Sequence, residues 1–175
     1  MVSIPGTSAN DKLFAKGTGD ELLGLEGNDT LDGVGVGKEN NTLRGGVGDD
    51  ELLANTKDKL YGEEGNDILK AEIGKGFNLL DGGAGNDTLR AGTNDELIGG
   101  AGQDYLFAGQ GNSTLEGGTS SDLFWIAFGS LPTKPNKIKD FTQGQDKLGI
   151  SVEGITKDNL LQKLKFTKDG KNTLI

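Results

Sequence analysis

The stretch 82-GGAGNDTLR-90 contains three glycines, an amide, a carboxylate and one leucine in nine residues, and nearly the same nine recur at 45-GGVGDDELL-53 and 99-GGAGQDYLF-107. With that leucine set as the eighth position, thirteen consecutive units run from Gly6 to Trp125. The eighth position is Leu in twelve of them and Phe124 in the last. One dependable apolar side chain per nine residues describes a short strand that cannot build a core alone, so the core must come from stacking. From Gly24 onward, units that begin with glycine alternate with weaker ones. The weaker ones carry the irregularities, with Gly33 to Gly35 and Ala71 to Glu72 inserted and two units a residue short. Two units therefore make one coil, with a regular turn on one edge and an irregular loop on the other.

The sixth positions on the regular edge are Asp29, Asp50, Asp67, Asp87, Asp104 and Asp122, separated by 21, 17, 20, 17 and 18 residues, which is one coil each time. Coils that hydrogen-bond to one another stack at about 4.8 Å, so these carboxylates form a ladder at roughly that interval. Neighbours so close repel by about 1 to 3 kcal/mol, and a cation between them removes the repulsion. Oxygen donors without nitrogen or sulfur select a hard ion, and adaptable loops favour calcium over magnesium. Glycines at the first position (Gly45, Gly62, Gly82, Gly99), the second (Gly46, Gly83, Gly100) and the fourth (Gly27, Gly48, Gly65, Gly85, Gly102) let backbone carbonyls turn toward that ion. The expectation is about five Ca2+ ions in one row between Asp29 and Asp122. The irregular edge reads Asp20, Asn41, Asp58, Asn78, Asp95 and Ser113, so no two successive coils both offer a carboxylate. A ladder of amides and hydroxyls bonded directly from coil to coil, without metal, is expected there.

Composition agrees with a cation ligand. The chain has 175 residues, 31 of them glycine, only 33% hydrophobic residues and a net charge of -9. A conventional layered core is excluded by that count, and nucleic acid is a poor partner for the charge. With no cysteine and no histidine, disulfides, thiolate or imidazole metal sites and a Ser/His/Asp arrangement are all absent. The start, 1-MVSIPGTSANDKLF-14, has neither the basic nor the apolar region of a Sec-type signal peptide, and no apolar run approaches membrane-spanning length. The 33-GVGVG-37 stretch lacks the Lys-Ser/Thr of a phosphate-binding loop and reads as an inserted loop.

The units at 45–53, 82–90 and 99–107 match G-G-x-G-x-D-x-U-x at every defined position. From Gly6 to Trp125 the chain resembles the repeats-in-toxin, or hemolysin-type calcium-binding, family. The segments 124-FWIAF-128 and 138-IKDFTQGQDKLGIS-151 are similar to the part that caps such rolls in secreted metalloproteases. The resemblance implies an all-β, right-handed parallel β-roll with calcium between successive turns. It also implies an extracellular protein exported by a type I secretion system through an uncleaved C-terminal signal. Leu25, Glu63, Glu64 and Ser120 depart from the small residues of the repeat.

After Trp125 the pattern changes. Pro132 and Pro135 are expected to break the stack, 146–152 reads as a strand, 156–164 as a short helix, and 164–175 as a hairpin about Asp169 and Gly170. Two regions follow: a roll over 1–128 and a C-terminal cap over 129–175, with Phe124, Trp125, Ile126 and Phe128 at the end of the roll supplying the apolar surface that covers the last coil. The expected function is a calcium-triggered folding module with no enzymatic activity. The alternative is a polysaccharide-binding module beside an enzyme outside this chain, since similar rolls accompany alginate-modifying enzymes. Its candidate surface is the ninth-position row of Lys70, Arg90, Phe107 and Trp125, although a solvated face is the commoner meaning of such a row.

Overall fold

The structure is a computed structural model and describes residues 1–35, 37–156 and 159. The described strands form two eight-stranded parallel sheets, and the chain alternates between them at every strand, giving a parallel β-solenoid of about seven turns. The first sheet holds β1 (Ser3–Pro5), β3 (Glu21–Glu26), β5 (Thr42–Val47), β7 (Lys59–Glu64), β9 (Leu79–Ala84), β11 (Glu96–Ala101), β13 (Thr114–Thr119) and β15 (Lys137–Ile138). The second holds β2 (Lys12–Phe14), β4 (Thr30–Asp32), β6 (Glu51–Leu53), β8 (Ile68–Lys70), β10 (Thr88–Arg90), β12 (Tyr105–Phe107), β14 (Leu123–Gly129) and β16 (Lys147–Val152).

The eighth-position leucines are the core. In the second sheet Leu31, Leu52, Leu69, Leu89, Leu106 and Phe124 pair in register from coil to coil. In the first, Leu22, Leu43, Leu60, Leu80, Leu97 and Leu115 do the same. All twelve are fully buried, so the two columns face one another across a core one side chain deep. Burying a leucine side chain contributes about 1.5 to 3 kcal/mol, and each is shared with the coils above and below.

A column of small residues lines the irregular edge. Ala15, Ala54, Ala71, Ala91 and Ala108 are buried there, and Gly33 makes the same bond to the following coil as they do. Gly33 and Ala71 thus take the first position of their loops instead of standing as insertions before them. The extra residues lie deeper in those loops, because the next coil rests on the first position and admits only a small residue.

Residues 137–138 and 147–152 join the two sheets as β15 and β16, so strand pairing continues beyond Pro132 and Pro135. Phe124 enters the core and Ile126 packs partly against it, whereas Trp125 and Phe128 lie on the outer face of the second sheet, with Phe128 about half exposed. Side chains alternate along a strand, so Trp125 next to Phe124 must point outward, and a register shift between Trp125 and Ala127 puts Phe128 on the same outer face. Apart from Thr156 and Asn159, the helix expected over 156–164 falls outside the described residues, as does the hairpin about Asp169 and Gly170.

Candidate metal centre

On the regular edge the sixth-position aspartates point into the roll and are at most 2% exposed. One carboxylate oxygen of each is engaged. Oδ1 of Asp50 accepts the backbone N–H of Asp29 at 2.7 Å, and Asp67, Asp87, Asp104 and Asp122 accept those of the preceding aspartates at 2.8 to 3.0 Å. The ladder is therefore bridged by amide donors as well as by whatever lies between the carboxylates. The other oxygen is different. Oδ2 of Asp29, Asp50, Asp67, Asp87 and Asp104 is buried with no hydrogen-bond partner. An unpartnered carboxylate oxygen in such a place costs several kcal/mol unless a proton or a cation meets it.

The first-position glycines show what faces those atoms. A Cβ built on Gly45 would come under 3.0 Å from both Asp50 Oδ2 and the Gly62 carbonyl oxygen of the next coil. The same pairing recurs at Gly24, Gly62, Gly82 and Gly99, each between its own aspartate and the carbonyl of the following first-position glycine. At Gly117 the row stops, since the Phe124 ring takes the place of the next carbonyl. Five such pairs with an unpartnered Oδ2 thus lie along one edge; a sixth, at Gly6 between Asp11 Oδ2 and the Gly24 carbonyl, has its Oδ2 occupied by the Thr7 N–H. At the fourth position Gly48, Gly65, Gly85 and Gly102 each sit directly over the carbonyl of the fourth-position glycine one coil earlier, beginning with Gly27. At the second position Gly46 lies over the Leu25 carbonyl, Gly83 over that of Glu63 and Gly100 over that of Gly83.

Burial dominates the ionisation of this row. It pushes Asp50 and Asp87 up to about 6 and Asp67 and Asp104 up to about 7, with neighbouring carboxylates adding to the effect; Asp122 is also raised.

The irregular edge has the same ladder and closes its carboxylates, leaving only the amide nitrogens of Asn41 and Asn136 buried without a partner among the described residues. Asp20, Asn41, Asp58, Asn78 and Asp95 each donate a backbone N–H to the side-chain oxygen of the next residue in the series, ending on Ser113 Oγ at 3.2 Å. Asn136 extends it by accepting from Ser113. The second carboxylate oxygens are all satisfied within their own loops. Asp20 Oδ2 accepts from Lys16 and Gly17, Asp58 Oδ2 from Asn55 and Asp95 Oδ2 from Gly92.

Residues 5–35, 36–56, 56–75, 74–93 and 92–115 match the RTX calcium-binding nonapeptide repeat (4 copies), so the matches together run from residue 5 to residue 115 of 175. The chain belongs to this family. A search of curated proteins found no match. The RTX roll is a structural calcium-binding fold and not a catalytic family. Its donor set here fits the ion: buried carboxylate and carbonyl oxygens, with no cysteine or histidine in the sequence.

Two aspartates of the RTX ladder lie beyond the row read from the sequence, Asp11 in the first unit and Asp146 after the last. Asp11 Oδ1 is not needed by a preceding coil, but its own N–H bonds Asp29 Oδ1, and Asp146 Oδ1 accepts from Asp122. Stepping the ladder one coil outward from Asp29 and from Asp122 would have found both. A second, exposed ladder also went unread: fifth-position Asn10, Asn28, Asp49, Asn66 and Asn86 each accept the backbone N–H of the next fifth residue.

The basic and aromatic row of the RTX roll is stacked on itself. The Arg90 guanidinium lies 4.3 Å from the Phe107 ring centre, and Phe107 stacks on Trp125 at 5.8 Å and 2°. Gly149 covers the other side of Trp125, where a Cβ would meet ring atoms at 2.6 Å. These rings present edges to solvent and not the open faces on which a sugar stacks. Among the described residues no helix is long and apolar enough to cross a membrane.

Proposed function

We propose that this chain is a calcium-triggered folding and stabilising module of an exported protein, with about five ions on the regular edge and none on the other. The observation that carries this reading is the row of five buried, unpartnered Oδ2 atoms, each beside a carbonyl of the next coil. The ions belong between Asp29 and Asp50, Asp50 and Asp67, Asp67 and Asp87, Asp87 and Asp104, and Asp104 and Asp122. Asp29 to Asp104 each supply Oδ2, joined by the first-position carbonyls of Gly45, Gly62, Gly82, Gly99 and Gly117.

The physiology follows from affinity. Extracellular calcium modules bind at about 10⁻⁴ to 10⁻³ M, so at cytosolic calcium the row stays empty and its buried charges oppose folding. At millimolar calcium each ion adds about 1 to 2 kcal/mol, and five together match a large share of a domain stability of about 5 to 15 kcal/mol. Loose before export and rigid outside is the behaviour expected of a type I-secreted extracellular protein. Residues 129–175 act as the C-terminal cap, with β15 and β16 extending both sheets over the last leucines. Calcium titration followed by circular dichroism tests the trigger, and anomalous scattering from the calcium-loaded crystal tests the row. Ions found mainly beside Asn41, Asn78 and Ser113 would overturn the edge assignment.

A further inference from the structure

The turns of this roll come in two backbone states, and the second residue distinguishes them. In the five turns whose aspartate Oδ2 is unpartnered, the second residue has a positive φ: Leu25 at 85°, Gly46 at 115°, Glu63 at 78°, Gly83 at 101° and Gly100 at 109°. Two of these five are not glycine. In five other turns Oδ2 accepts the N–H of the turn's own second residue: Thr7 to Asp11 at 2.6 Å, Lys16 to Asp20 at 3.0 Å, Asn55 to Asp58, Gly92 to Asp95, and Thr142 to Asp146 at 2.7 Å. None of those second residues has a positive φ, Gly92 included. Every turn with an unpartnered Oδ2 has a positive φ at its second residue and every self-closed turn lacks one; the Asp122 turn, at the end of the row, has the open backbone with Gly118 at 96° and its Gly118 N–H on Asp140 Oδ2 at 2.8 Å.

Strand length carries the same division independently. At positive φ the second residue stays in the sheet, as in the register Leu25–Gly46–Glu63–Gly83–Gly100, and strands entering those turns run six residues. Strands entering self-closed turns stop early. β1, before Thr7, and β2, β6 and β10, before Lys16, Asn55 and Gly92, have three residues each, and β15, before Thr142, has two.

We infer that the backbone conformation of the second residue is the switch that decides whether a turn takes a cation. At positive φ its N–H turns away from the turn's own Oδ2, toward the sheet or, at Gly118, toward Asp140, and the carboxylate is left open to an ion; otherwise that N–H occupies Oδ2 and the turn is closed without metal. The inference rests on the calcium reading above and adds to it which residue sets ion capacity. Thr7 and Thr142 bound the ion row at its two ends, and Lys16, Asn55 and Gly92 keep it off the other edge. Leu25 and Glu63 hold an open state that an L side chain resists, so their turns bind with less than full affinity.

The test uses the full chain with calcium as the only probe. Glu63→Gly relaxes an open turn and is expected to lower the calcium needed for half-folding by about two- to fivefold. Gly83→Val, whose branched side chain rejects positive φ, closes the turn on Asp87 and lowers the number of bound ions, counted by elemental analysis of the folded protein in excess calcium. An unchanged or raised midpoint in Glu63→Gly overturns the switch, as does an unchanged ion count in folded Gly83→Val. If Gly83→Val does not fold, Glu63→Gly decides alone. A wild-type chain that binds no calcium refutes the calcium reading together with the switch, whereas calcium binding with both variants unchanged refutes only the switch.

Discussion

Replacing Asp87 by asparagine should stabilise the metal-free roll and weaken the calcium-loaded one. The amide keeps Oδ1, which accepts the Asp67 N–H at 2.8 Å, so the ladder survives. What disappears is the charge. Burial raises the Asp87 carboxyl from 3.8 to about 6, so holding it ionised inside the fold at neutral pH costs about 3 kcal/mol. The amide's own unpaired N–H returns about 1 to 2 kcal/mol of that, leaving a net gain of about 1 to 2 kcal/mol without calcium. With calcium the balance reverses. Asp87 stands between two proposed ions, and at about tenfold excess over a millimolar dissociation constant each contributes about 1.4 kcal/mol, so losing both costs about 3 kcal/mol. Urea denaturation followed by circular dichroism, in chelator and again in about 10 mM calcium, measures both numbers. A loss of equal size under the two conditions would show that Asp87 is merely structural and would refute the argument.

The opposite edge should answer in the opposite sense. Asn78→Asp would place three carboxylates in succession with Asp58 and Asp95, and should cost about 1 to 3 kcal/mol in chelator; a neutral result in the same denaturation experiment would mean that edge is already charge-compensated. Gly149→Ala puts a methyl group into the Trp125 ring and should cost about 1 to 3 kcal/mol with a red-shifted tryptophan emission, whereas an unshifted spectrum would mean Trp125 does not stack there. For pH, the folded pKa values of Asp50, Asp67, Asp87 and Asp104 lie above the unfolded 3.8, so the folded state holds protons that the unfolded chain releases. Stability of the metal-free roll from these groups is full below about pH 4 and is lost as pH rises through about 6 to 7. Circular dichroism in chelator should therefore show more β structure at pH 5 than at pH 7.5, and the reverse order would contradict the burial of the row.

The two-sheet stack was legible because one leucine per nine residues leaves only one way to build a core, and each of Leu22 to Leu115 lands in it. The aspartate ladder was legible for the same reason: a fixed side chain once per coil must line up. The state of each turn was not. Leu25 and Glu63 look like flaws in the repeat, yet both keep the positive φ of their glycine neighbours because the coils above and below fix the register. Asp11 and Asp146 were missed because 6-GTSAND-11 and 141-FTQGQD-146 lack the paired glycines, which is also why their threonine N–H groups are free to close the turn. Trp125 and Phe128 were assigned to cover the end of the core, but strand alternation sends Trp125 outside and the register shift between Trp125 and Ala127 turns Phe128 out beside it.

The column of small residues on the irregular edge makes the molecule tolerant of growth in one direction only. The loops over 33–40 and 71–77 differ in length from 54–57 and 91–94, yet the leucines on either side of them keep their partners. Extra chain bulges outward after the small residue, where Glu72 and Ile73 are exposed, and rejoins the stack at Gly74 to Gly76 against Asn55 and Thr56, so its length never reaches the sheets. On the regular edge every added residue would separate a carboxylate from the carbonyl facing it. Sequence can drift, lengthen or accept a grafted peptide along one side of this rod while the other side remains a fixed ruler, and a segment inserted between Glu72 and Ile73 would be displayed without disturbing the spacing of the coils.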